Sequence, residues 1–98
     1  MKVVWLKRAR LDLNDALDWI ATRNPGAAEN IAQLIHLQIS QLATYPQLGR
    51  VGKIENTREL VIQQTRYIAA YRIDIKNKQI QILALTHHSK CWPNQFNE

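Results

Sequence analysis

Three groups of side chains in this sequence could do chemistry. His87 and His88 stand together near the C-terminus. A histidine titrates near working pH, so one placed beside arginines could serve as general acid or base in RNA cleavage. The plainer reading is a hydrogen-bonded histidine that fixes the following segment. The second group is cationic: Arg50, Lys53 and Arg58, with Arg72 further on. Arginine holds phosphate in a bidentate fork, although Arg58 could equally pair with an acidic neighbour. The third is Trp92-Pro93 with Phe96. These aromatics could stack on bases, pack back onto the protein or anchor a partner. Tyr67 and Tyr71 share one strand parity and read as core-facing aromatics rather than proton donors.

Other chemistries lack their residues. There is no glycine-rich turn ending in Gly-Lys-Ser/Thr, and Gly49 and Gly52 precede a strand rather than a helix, which excludes phosphate-loop and dinucleotide fingerprints. His87 and His88 are adjacent, His36 sits on a helix and Cys91 is alone, which does not give zinc spacing. Ser40 and Ser89 have no supporting triad motif. No metal or cofactor is expected.

The chain has 98 residues, 46% of them hydrophobic and 21% charged, the balance and length of one globular domain. No apolar run is long enough to cross a bilayer, and the N-terminus breaks into charges at once, unlike a signal peptide. The lone Cys91 fits a reducing cytoplasm. Thirteen Lys and Arg against eight Asp and Glu give +5. Residues 1–49 hold five cations and four acids (+1) and residues 50–98 eight and four (+4). An acidic partner, nucleic acid or an acidic protein segment, therefore belongs with the C-terminal half.

The elements that must position these groups follow from periodicity. Val3 to Leu6 predicts a strand. Ala9, Leu13, Ala16, Leu17 and Ile20 predict a helix over about 8–23, with Asp12, Asp15 and Asp18 facing water. Asn24-Pro25 predicts an N-cap and first turn for a second helix reaching about Thr44, with Ala28, Ile31, Leu34, Ile35, Ile39 and Leu42 as its stripe. The short connection makes the helices an antiparallel hairpin. Residues 45–56 read as an exposed basic loop. Period-two patterning then predicts strands over about 57–63, 67–73 and 79–85, with polar turns between them and an irregular tail from Thr86. The order β-α-α-β-β-β implies a two-layer α+β fold: a helix hairpin on an antiparallel meander, with the first strand at an edge or alongside a later strand.

Pro46, Gly49-Arg50, Thr57-Arg58-Glu59-Leu60-Val61, Tyr67, Tyr71-Arg72, Ile82-Leu83 with His87, and Trp92-Pro93, together with Asn24-Pro25 and Ala27-Ala28, resemble in order and spacing the RelE/ParE superfamily of bacterial toxins from type II toxin–antitoxin pairs. The resemblance covers nearly the whole chain. It implies a cognate antitoxin that wraps the toxin; Leu34, Leu42 or Trp92 could contribute contacts in the groove between helix hairpin and sheet, with core packing the stronger reading for the two leucines. It also implies one of two targets. RelE-like members cut messenger RNA in the ribosomal A site without a metal; in that case Arg58, Arg72, His87 and His88 would be the catalytic set. ParE-like members block DNA gyrase by binding. RelE-like members carry an arginine where this chain has Ile68, and lysines where it has Glu59 and Val61. An apolar group cannot stabilise phosphate charge and a carboxylate repels it, so the ParE-like, non-enzymatic reading is favoured. Arg50, Lys53, Arg58 and Lys90 would then meet nucleic acid or an acidic partner.

Overall fold

The apolar period of 3.6 in the first half and 2 in the second builds two helices and a sheet. The computed structural model describes residues 1–89; Lys90, Trp92, Pro93 and Phe96 lie outside the described residues. The elements are β1 (Lys2–Trp5), α1 (Lys7–Ala21), α2 (Pro25–Ser40), a 3-10 turn (Gln41–Ala43), β2 (Arg50–Val51), β3 (Arg58–Val61), β4 (Tyr67–Asp74) and β5 (Gln79–His87). One sheet runs β1-β5-β4-β3-β2. The α+β layout with an antiparallel meander stands as the sequence predicts, and β1 is an edge strand parallel to β5.

Several boundaries differ, β1 being shifted by one residue and β3 stopping at Val61 rather than 63. α1 ends at Ala21 because Asn24 must be extended (φ −156°) before Pro25, where its side chain accepts the Ala27 N–H at 3.2 Å. α2 ends at Ser40 and tightens into the 3-10 turn. The expected loop 45–56 contains β2, which makes a fifth strand by pairing Arg50 with Glu59 and Val51 with Arg58. β5 runs on through Thr86 and His87, because Ile68 and Tyr67 continue to pair with them.

Ala9 and Leu13 of α1, Ile35 and Ile39 of α2, and Leu42 meet Leu60, Ile62, Ala69, Tyr71, Ile80, Ile82 and Leu85 of the sheet side in one core. Each fully buried Ile or Leu contributes about 1.5–3 kcal/mol. In β4–β5, Ala70 pairs with Ala84 but Tyr71 pairs with Ile82, which leaves Leu83 in a bulge. The extra residue resets the parity, so Ile82 and Leu85 both reach the core. Gln38 ties α2 to the β3–β4 turn with two hydrogen bonds, donating to Gln63 O (2.9 Å) and accepting from Gln63 N–H (2.7 Å).

Candidate functional site

Two regions hold the chemically capable side chains. The first is the turn entering β2. Tyr71 is fully buried, and its hydroxyl donates to Pro46 O (2.7 Å) while accepting the Gly49 N–H (2.8 Å). Burial raises the Tyr71 pKa, and the Gly49 hydrogen bond and the Arg58 charge oppose that only in part. The phenol therefore stays protonated and keeps its bond to Pro46. Arg58 donates to Gly49 O and Gln47 O from below the same turn. A Cβ on Gly49 would sit 2.7 Å from the Tyr71 ring and 2.8 Å from Glu59 O, so only glycine fits. The Gly49-Arg50 pair thus has a packing reason.

This turn engages two of the cations that the sequence singles out, Arg50 and Arg58. The exposed Arg50 guanidinium meets the buried Glu59 carboxylate at 3.1 Å, and Glu59 also accepts the Lys53 backbone N–H at 3.2 Å. Arg58 is committed to carbonyls. Arg72 lies on the sheet face opposite Tyr71 and donates through Nε and NH2 to Gln81 Oε1. Lys53 is exposed.

The second region is a groove of about 600 Å3 between α1 and the end of β5. Arg8, Asp12, Ala16 and Trp19, with Asp15, line one wall at helical spacing, and Tyr67, Leu85, Thr86 and His87 line the other. The expectation that Asp12 faces water is corrected here. Its carboxylate accepts the Leu85 N–H at 3.0 Å and lies 3.8 Å from Arg8. The reason is topological: β1 accompanies β5 only as far as Ile82, so the next backbone donor on that edge needs another acceptor. His87 stands opposite Tyr67 in register, with the rings edge-on at 5.7 Å, and the His88 ring is 4.7 Å away. Ser89 N–H donates to His87 Nδ1 (3.3 Å), with Ser89 Oγ 2.8 Å from the same atom. In the neutral ring this leaves the proton on Nε2. Burial raises the Tyr67 pKa, so its phenol is a donor and not a base near neutrality.

His87 and His88 are therefore brought together, but the arginines are not brought to them. Arg58 pairs in register with Tyr71, four residues along β4 from the Tyr67–His87 pair, about 13 Å at strand rise. Arg72 is on the other face. Of the expected antitoxin contacts, Leu34 is half-buried, while Leu42 is fully buried in the core and offers no surface; Trp92 lies outside the described residues. A smaller cavity of about 300 Å3 opens between α2 and β3, where Leu48 and Val61 are exposed beside Gln38 and Leu60. The sequence reading missed Arg8, Asp12, Asp15 and Trp19. Their one signal was an i, i+4 row flanking the core stripe and carrying a tryptophan that packing did not need.

The family described as "ParE toxin of type II toxin-antitoxin system, parDE" matches residues 3–92. The candidate toxin Y4kP of Sinorhizobium fredii is 35% identical over 92 residues, 94% of this chain and 93% of that protein. Toxin RelE3 of Caulobacter vibrioides is 38% identical over 68 residues, 67% of this chain and 73% of its own. Among solved structures, the chromosomal ParDE toxin–antitoxin system from P. aeruginosa superposes with a TM-score of 0.79 at 26% identity, covering 89% of this chain and 95% of that one. The RelBE2 toxin–antitoxin complex from Mycobacterium tuberculosis shares the fold, with a TM-score of 0.61 at 22% identity over 88% and 95% of the two chains. The chain belongs to the ParE toxin family and is a toxin of a type II toxin–antitoxin system.

Proposed function

We propose that this toxin acts as a single domain in the cytoplasm, arrests growth by binding DNA gyrase, as the ParE-like reading expects, and is neutralised by a cognate antitoxin. The observation that carries the reading is the separation of the expected catalytic arginines, Arg58 and Arg72, from the histidines. Cleavage of RNA without a metal needs cations within reach of the phosphate that the acid and base act upon. Here Arg58 is bound to carbonyls about 13 Å along the strand from His87, Arg50 is neutralised by Glu59, and Arg72 faces away. The similar solved structures are toxin–antitoxin systems, which supports the antitoxin partner. The cavity beside the exposed Leu48 and Val61 suits an apolar anchor of such a partner.

The second reading, a ribosome-dependent ribonuclease, draws on one observation: the groove gathers His87, Tyr67 and Arg8. The test runs both assays on the same purified chain. Inhibition of gyrase supercoiling at micromolar toxin, with messages on programmed ribosomes left intact, is expected. Message cutting that His87→Ala abolishes, with supercoiling unaffected, would overturn the proposal.

A further inference from the structure

The lysines that no sequence motif marked meet at the end of the sheet remote from His87. Lys2 opens β1, and its Cα lies opposite Gln79. Its backbone N–H donates to Lys78 O at 3.3 Å, which fixes Lys2 against the β4–β5 turn that carries Lys76 and Lys78. Adjacent strands are about 5 Å apart, so the three side chains leave from one corner. All three are exposed, and no carboxylate among the described residues pairs with them. The one acid in the turn, Asp74, is held by hydrogen bonds. It accepts from the Asn77 side chain (2.8 Å), the Asn77 N–H (3.2 Å) and Gln81 (3.3 Å), and the two Asn77 bonds, with the nearby Arg72 and Lys76 charges, lower its pKa. Its charge acts on Lys76, but no ion pair joins it to any of the three lysines.

Backbone conformation supplies an independent observation. Lys78 closes the turn (its N–H donates to Ile75 O at 3.2 Å) with φ at +54°. That left-handed region favours Gly or Asn and is costly for a long side chain. Asn56 and Gln64 take the same conformation in other turns; among the three, only Lys78 places a cation there, at the tip of the corner.

We infer that the Lys2–Lys76–Lys78 corner is a docking surface for the phosphate backbone of duplex DNA. Ammonium groups on flexible stems read charge and not bases, so the contact is independent of sequence. Neither the turn nor the start of β1 up to Val4 carries an aromatic ring, and single strands are held chiefly by stacking, which favours a duplex. The corner lies outside the gyrase-binding reading and stands whether or not that reading holds.

The test is fluorescence anisotropy of the purified chain on a short mixed-sequence duplex, titrated with salt. Three phosphate contacts predict a log–log salt slope of about −2.7, and Lys2→Gln/Lys76→Gln/Lys78→Gln should weaken binding at least about tenfold and flatten that slope. Lys78→Gly should cut the slope by about one while Tm stays level or rises, which separates binding from folding. Lys7→Gln/Arg10→Gln, at the start of α1, is the control and should change little. Equal loss from the control, unchanged binding by the triple variant, or tighter binding to single-stranded RNA or to polyglutamate than to duplex DNA would each overturn the inference.

Discussion

Gly49→Ala tests how the Pro46–Gly49 turn is held. The new methyl carbon would sit 2.7 Å from Tyr71 Cε1, 2.8 Å from Glu59 O and 2.8 Å from the Tyr71 hydroxyl. Two of these contacts are with a buried ring and one with strand backbone, so none yields cheaply. Overpacking of this kind costs about 1–3 kcal/mol. Relief requires the turn to lift, which breaks the Gly49 N–H bond to Tyr71 and adds about 1–3 kcal/mol for a buried donor left unmet. The sum is about 2–6 kcal/mol, a fall in Tm of about 10 °C or more for a chain this size. Tyr71→Phe keeps the ring but strands Pro46 O and Gly49 N–H, at about 2–3 kcal/mol. The hydroxyl is part of both the clash and the broken bond, so the double variant should cost less than the two singles together by about 1 kcal/mol. Urea unfolding of the four proteins measures this. A Gly49→Ala cost within about 0.5 kcal/mol of zero, or strict additivity, would refute the argument.

Two further outcomes follow from single groups. Tyr71 has its pKa raised in the folded state; an acid so shifted contributes stability that is fully present below its unfolded value and is lost as pH rises from about 10 through the folded value. Alkaline unfolding monitored by circular dichroism should therefore be shallower in Tyr71→Phe, with Tyr67 supplying the residual slope, and an unchanged profile would exclude the assignment. Asp12→Ala should cost about 1–2 kcal/mol by uncovering the Leu85 amide, speed hydrogen exchange at that amide and spare it in Asp12→Asn, whose side-chain oxygen still accepts; equal exchange in both variants would mean that charge, not acceptance, matters.

Much of the fold was legible because local rules agreed. Asn24-Pro25 works as cap and first turn, and the change of period near residue 57 marks the passage from helices to meander. What was not legible depends on pairing across the chain. β2 is two residues long in a stretch with no apolar period, and it exists because Glu59 and Arg58 offer partners. Thr86 and His87 look like tail but are held in β5 by Ile68 and Tyr67. A bulge at Leu83 defeats any strict alternation.

The site was harder to read, for a reason that bears on charge-rich sequences in general. Spacing locates a cation but does not say what it touches. Arg50, Arg58 and Arg72 stand out by sequence, yet each ends on a nearby acceptor: a carboxylate, a pair of carbonyls and an amide. Their neighbours across the sheet, fixed only once register is set, decide this. Lys2 and Lys78 lie at opposite ends of the sequence and become neighbours through one parallel pairing. Committed cations hold a loop, whereas hydrated, unpaired ones can attract a polyanion. On that physical distinction the exposed lysine corner, more than the arginine-rich strand entry, is where this toxin's surplus positive charge is available to a partner.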